Sequence, residues 1–319
     1  NVEKIICKNI RGLKLFTTNT LYDTLTIRRT NNILKRTFSF ELQTRESEVR
    51  QLWKIIENES PSIFIFRTDV QSFFESLPFL DIINDLNDKN FLTNTTHAHL
   101  KNICHYLLTN DYKGLPRGLS ISSSLCEYAM LDFDRKIRNL PNCIYYCRYV
   151  DDIVIVTSEI KNMEDIVSKN LPFNLSLNNK KTFCAKIGDN KKIEFLGYSF
   201  DLNDIKKTKI SSKKINKIKS RIILSLKKYV LYPDYQLLLE RLRFLTGTST
   251  LKVSDRKKTI FVGIRNQYAL CNEERLLEQL KELDLFFYRI LYSKKYNLSK
   301  KLNKKLNAVQ LKKIKGFSF

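Results

Sequence analysis

Residues 149–156 read YVDDIVIV, inside the longer run CIYYCRYVDDIVIVTS over residues 143–158. Two adjacent carboxylates, Asp151 and Asp152, interrupt an otherwise β-rich apolar segment. Placing two like charges side by side in such a segment is costly unless something neutralises them. Neighbouring side chains on a straight strand point to opposite faces, so both acids reach one site only at a bend. Aspartate accepts turn geometry. The expected arrangement is a hairpin with Asp151-Asp152 at its tip, between strands Tyr145–Val150 and Ile153–Thr157.

A third acid, Asp69, ends another apolar run, Ile63 to Asp69, and is followed by a predicted bend. Three acids at the ends of adjacent strands form an oxygen-rich site of the kind hard divalent cations favour, Mg²⁺ above all. Two such ions about 4 Å apart can activate a hydroxyl and stabilise a leaving pyrophosphate. The chemistry indicated is phosphoryl transfer. Spacing alone leaves open that Asp69 and the pair are unrelated turn residues.

Away from the acids, helices and strands alternate. Glu46–Glu57 carries Val49, Leu52, Trp53 and Ile56 at helical spacing, and residues 80–109 read as two helices. The loop DYKGLPRGLSIS is broken by Gly114, Pro116 and Gly118, and a helix follows over Ser122–Arg138. A helix over EDIVSKNLPFNL, a short strand ending near KKTFCAKI and a strand over Lys192–Phe200 come next. From Ser211 onward the pattern is helical, and residues 1–60 mix basic loops with amphipathic segments.

The 319 residues carry a net charge of +23, distributed unevenly. Residues 206–319 hold 29 basic against 8 acidic side chains, leaving 27 against 25 for residues 1–205. A segment that basic repels itself unless a polyanion lies against it, which points to nucleic acid. No apolar run approaches the ~20 residues of a membrane helix, and NVEKIICKNI lacks the apolar core of a secretion signal. The seven cysteines read as reduced packing thiols. Cys143 and Cys147 have no second Cys/His pair to complete a zinc site, and His97 and His99 read as residues of a solvated loop.

TDVQSFFESL, GLPRGLSISSS, YVDD, NNKKT and EFLGYSF stand in the order and at roughly the spacing found in reverse transcriptases, a resemblance covering about residues 60–200. It implies an α+β fold of the right-hand polymerase type. Fingers would occupy 1–60 and 81–113, the palm 61–80 and 114–205, and a helical, basic thumb 206–319. Asp69, Asp151 and Asp152 correspond to the family's metal-binding triad, joined by the backbone carbonyl of Val70 and holding two Mg²⁺ ions, with Mn²⁺ able to substitute. Phe74 matches the aromatic residue under the sugar of the incoming nucleotide, which selects deoxynucleotides. Lys181 matches the lysine proposed to protonate leaving pyrophosphate, with Lys180 its rival. EFLGYSF resembles the hairpin that grips the primer end.

GLPRGLSIS departs from the family pattern, having Arg117 where Gln is usual and Ser122-Ser123 where Ser-Pro is usual. Gly118 would let the backbone approach a nucleotide, Arg117 would contact phosphate or base, and Arg28 and Arg29 would serve the triphosphate. The LPRG variant and the tail RLRFLTG…VGIRNQYAL resemble the bacterial antiviral-defence and abortive-infection enzymes, more distantly those of retrons and group II introns. The resemblance implies a cytoplasmic bacterial enzyme that takes dNTPs and a template, primer or non-coding RNA, and that assembles with itself or a partner protein. The alternatives are a nucleic-acid-binding scaffold subunit, or a retron- or intron-type enzyme.

Overall fold

A computed structural model describes residues 5–10, 12–38, 44–58, 62–247, 250–253, 258–261, 263–264 and 274–319. The tail stretch VGIRNQYAL lies almost wholly outside them. The chain divides into two compact units, residues 1–43 with 62–186 and residues 44–61 with 187–319.

The first unit opens with an antiparallel hairpin of β1 (Ile5–Ile10) and β2 (Leu13–Thr18), followed by α1 (Leu21–Phe38). Neither the hairpin nor the long helix was expected in this region. After α2 (Arg45–Asn58), which belongs to the second unit, come β3 (Phe64–Asp69), α3 (Phe73–Ser76), α4 (Phe79–Asp88), α5 (Asn94–Thr109) and α6 (Ile121–Arg138). The unit closes with β4 (Cys143–Tyr149), β5 (Asp152–Thr157), α7 (Met163–Asn170) and β6 (Phe183–Lys186). The helix α7 stops short of the predicted Leu175, because the residue before Pro172 is pushed out of helical geometry: Leu171 is extended.

Its centre is a four-stranded antiparallel sheet ordered β4-β5-β3-β6. The inner strand β5 is buried from Ile153 through Thr157, as a strand covered on both faces requires. Helix α6 lies on β4 and buries Leu125, Ala129, Met130, Phe133 and Ile137, the helical period bringing them to one side. Val70, Phe73, Ile153 and Ile155 belong to the same core.

The second unit contains β7 (Lys192–Phe195), β8 (Tyr198–Asp201) and β9 (Lys209–Ile210) in one sheet, then α8 (Ser212–Leu231) and α9 (Tyr235–Thr246). The hairpin β10 (Thr250–Val253) and β11 (Lys258–Phe261) precedes α10 (Glu274–Tyr292), α11 (Asn297–Lys305) and α12 (Ala308–Lys315). Lys192–Phe200 is therefore a hairpin rather than one strand. It turns at Leu196 and Gly197, both at positive φ. The basic third is mostly but not wholly helical.

His97 and His99 are on α5 and half-buried, not in a loop. Cys104, Cys126 and Cys147 are buried, as expected of packing thiols, whereas Cys7 and Cys184 are exposed; burial pushes the Cys126 thiol up to about 12. Among the described residues no helix is long and apolar enough to cross a membrane.

Candidate active site

β3 and β5 are in register so that Asp69 lies opposite Asp152. Tyr149 pairs with Asp152 across β4 and β5, so the turn consists of Val150 and Asp151, one residue earlier than the sequence implied. Val150, not an aspartate, takes the left-handed position, at φ 63°. That is an unfavourable conformation for a β-branched residue and needs support from its surroundings. The Val70 N–H donates to the Asp151 carbonyl at 3.1 Å, tying the end of β3 to the turn. All three acids thereby gather at one end of a strand pair.

Asp69 is 4% exposed. Lys181 Nζ donates to its Oδ2 at 2.6 Å and Asn178 Nδ2 to its Oδ1 at 3.2 Å. The Asn178 N–H also donates to the Asp69 carbonyl at 2.8 Å. Asp152 accepts from Arg67 at 2.6 Å; Arg67 is two residues before Asp69 on β3 and so shares its face. The carboxyl of Asp151 is held above its ordinary range, chiefly by burial and further by Asp69 and Asp152, against the opposing pull of its own backbone N–H and Lys181.

Beneath the turn lies a buried ion cluster that the sequence reading did not single out. Arg148, with a side chain 3% exposed, pairs with Glu127 at 2.6 Å and Asp134 at 2.7 Å. Its Nη1 donates to the carbonyl of Val150 at 3.1 Å, and Tyr146 donates to Asp134 at 2.5 Å. Both acids hold the guanidinium charged, and its pKa is raised despite burial.

A second group surrounds α3. Ser72, at φ 45°, makes the bend after β3. The guanidinium of Arg117 lies 4.8 Å from the Phe74 ring centroid, and it forms a two-pronged bond to Glu75 at 2.5 and 3.0 Å. Phe74 accepts from the Leu115 N–H at 2.7 Å, and Phe16 donates to the Arg117 carbonyl at 2.7 Å. Gly118 sits at φ +102°, where a β-carbon would overlap the Phe16 carbonyl. Arg117 is close enough to Asp151 for their charges to interact.

Asp69, Asp151, Asp152, Val70 and Lys181 are thus brought together, and Phe74, Arg117 and Gly118 form the adjoining group. Of the two lysines, Lys181 reaches Asp69. Arg28 and Arg29 are exposed on α1, and among the described residues neither forms an ion pair with the acids.

Residues 5–200 match the family described as reverse transcriptase (RNA-dependent DNA polymerase). The chain belongs to the reverse transcriptase family. Every one of these site residues falls within the matched span, and the α+β, right-hand polymerase fold class expected from the sequence is that of this family. No curated protein matches the chain in sequence.

Among solved structures, apo telomerase from Candida tropicalis aligns over 94% of this chain and 68% of its own, at 13% identity and TM-score 0.45. Telomerase from Candida albicans, in complex with the TWJ fragment of telomeric RNA, aligns over 90% and 53%, at 14% identity and TM-score 0.40. The C. tropicalis enzyme truncated from its C-terminal domain aligns over 65% and 54%, at 14% identity and TM-score 0.42. The chain spans about half the length of the last two.

Among the described residues no group of three His, Cys, Asp or Glu side chains is drawn together as a ready-made metal cage. Asp69 and Asp152 turn instead to Lys181 and Arg67. The donor set nonetheless fits a hard divalent ion. It is all oxygen, two of its acids are paired with the cations Lys181 and Arg67, and the third carries a pKa raised chiefly by burial and further by its acidic neighbours.

Proposed function

We propose that this reverse transcriptase family member is an RNA-directed DNA polymerase using Mg²⁺ held by Asp69, Asp151 and Asp152, with the Val70 carbonyl beside them. The observation that carries the reading is the register of β3 and β5, which sets Asp69 opposite Asp152 with Asp151 at the adjoining turn. Bound there, the ions would make the primer hydroxyl a better nucleophile and neutralise charge on the leaving pyrophosphate.

Asn178 and Arg67 orient Asp69 and Asp152, and Arg148 fixes the turn carrying Asp151. Lys181 stands where it can leave Asp69 for the pyrophosphate. Phe74 lies under the sugar and excludes ribonucleotides, beside a backbone that Gly118 allows to pass close. Fingers (1–60, 81–113), palm (61–80, 114–205) and basic thumb (206–319) are the division we assign, with the thumb holding the nucleic acid through its 29 basic side chains. The LPRG loop and the absent Ser-Pro favour a role in bacterial antiviral defence.

The test is incorporation of labelled nucleotides by the purified protein on an RNA template with a DNA primer. dNTP addition that EDTA stops and Mg²⁺ restores supports the reading. Equal use of rNTPs, or no addition on any primed template, contradicts it.

A further inference from the structure

We infer that Glu75 is a specificity-determining residue, acting through Arg117 to hold Phe74 in place as the barrier to ribose. The inference rests on the reading of Phe74 as the residue under the sugar.

Phe74 and Glu75 are neighbours in the single turn of α3, which has only four residues and little internal hydrogen bonding to fix it. A side chain on so short an element is only as rigid as its contacts. Beside the ring is Phe73, 5.6 Å away between centroids and in a T-shaped arrangement, a fully buried core residue. Against the ring lies the Arg117 guanidinium, a flat cation suited to an aromatic face.

Arg117 is half-exposed and long, so stacking alone would not hold it. Glu75 does, gripping Nε and Nη2 with its two oxygens. A fork of this type fixes the plane of the guanidinium as well as its position. The grip has a matching effect on charge, lowering Glu75 and raising Arg117 from their ordinary values. The backbone is clamped in the same place, by Leu115 bonding to Phe74 and by Gly114, where a β-carbon would stand 2.6 Å from the Glu75 carbonyl. The loop GLPRG and the α3 turn therefore form one block, with the ring of Phe74 held in contact with both Phe73 and Arg117. A block that rigid can refuse a single extra hydroxyl; a ring free to swing aside cannot.

The experiment compares kcat/KM for a dNTP and its matching rNTP in wild type, Glu75→Gln, Arg117→Met, the double variant and Phe74→Ala. Glu75→Gln should lower the dNTP preference about tenfold, the order expected when a partly exposed ion pair and a cation–π contact are both lost. Arg117→Met should do the same, and the double variant should lose no more than either, because the two residues act as a unit. Thermal unfolding of each variant separates this from loss of fold, and Glu75→Asp, if folded, should retain part of the preference. An unchanged preference in Glu75→Gln, or an equal fall for both nucleotides, overturns the inference while Phe74→Ala still relaxes selection. If Phe74→Ala leaves selection intact, the sugar reading itself is wrong and the inference falls with it.

Discussion

Lys181 Nζ stands 2.6 Å from Oδ2 of Asp69, an acid 4% exposed, while the lysine side chain itself is 49% exposed. A tethered cation thus occupies one face of the buried acid but can swing into solvent. Its neighbour Lys180 is exposed. Lys181→Met is expected to lower kcat for nucleotide addition by about 10²-fold or more, the range for a positioned proton donor. The dNTP KM should change far less, and Lys180→Met should stay within about twofold of wild type. Single-turnover kinetics of both variants check this.

The Arg148 cluster should matter to stability and activity together. Arg148→Met leaves Glu127 and Asp134 without their shared cation and removes the donor to the strained Val150 carbonyl. The expected loss is about 3–5 kcal/mol, as for other broken buried pairs. Urea unfolding measures it. Activity of the fraction that remains folded should also fall, because the turn bearing Asp151 is no longer held.

Two glycines at positive φ should respond differently to alanine. Gly12 (φ +81°) has no heavy atom near its notional β-carbon, whereas Gly118 (φ +102°) would collide with backbone. Gly12→Ala should cost about 1–2 kcal/mol from conformation alone. Gly118→Ala should cost more, by displacing β2 or the GLPRG loop. Thermal melts of the two variants side by side show the difference.

Lys214, on α8, is pushed down to about 8, first by burial and then by Arg45, Lys217 and Arg221. Its folded-state value lies below the ordinary lysine value of about 10.4. Between those values the unfolded chain binds the extra proton, so stability rises with pH across that window, and the penalty is complete below pH ~8. Lys214→Met should flatten the rise. Urea midpoints for wild type and variant between pH 7.5 and 10 check the sign.

Much of the first unit was legible because its strands and helices are written in local periods. The run Ile63–Asp69, the helix ending at Arg138 and the paired strands around YVDD declare themselves through burial. The turn was misplaced by one residue for a tertiary reason. Asp152 is drawn into β5 by pairing with Asp69 and Tyr149, which forces the left-handed position onto Val150. In the same way, the turn at Leu196 and Gly197 lies between apolar Phe195 and Tyr198, so KIEFLGYSF reads as one strand. Helix α1 escaped notice because it buries Asp23, Thr30 and Asn31 alongside Ile27 and Leu34, which weakens its apolar period. Pairs such as Glu75 with Arg117, or Arg148 with Glu127, join residues from separate elements, and no local pattern announces them.

Three carboxylates at the end of β3 and β5 carry nucleotide addition in the proposed reading. The most direct measurement is the single-nucleotide incorporation rate of Asp151→Asn with Asp152→Asn, on a primed RNA template at saturating Mg²⁺, with the fold verified by circular dichroism. The variant should give a native spectrum and incorporation at background. Incorporation at the wild-type rate by that folded variant would contradict the proposed reading.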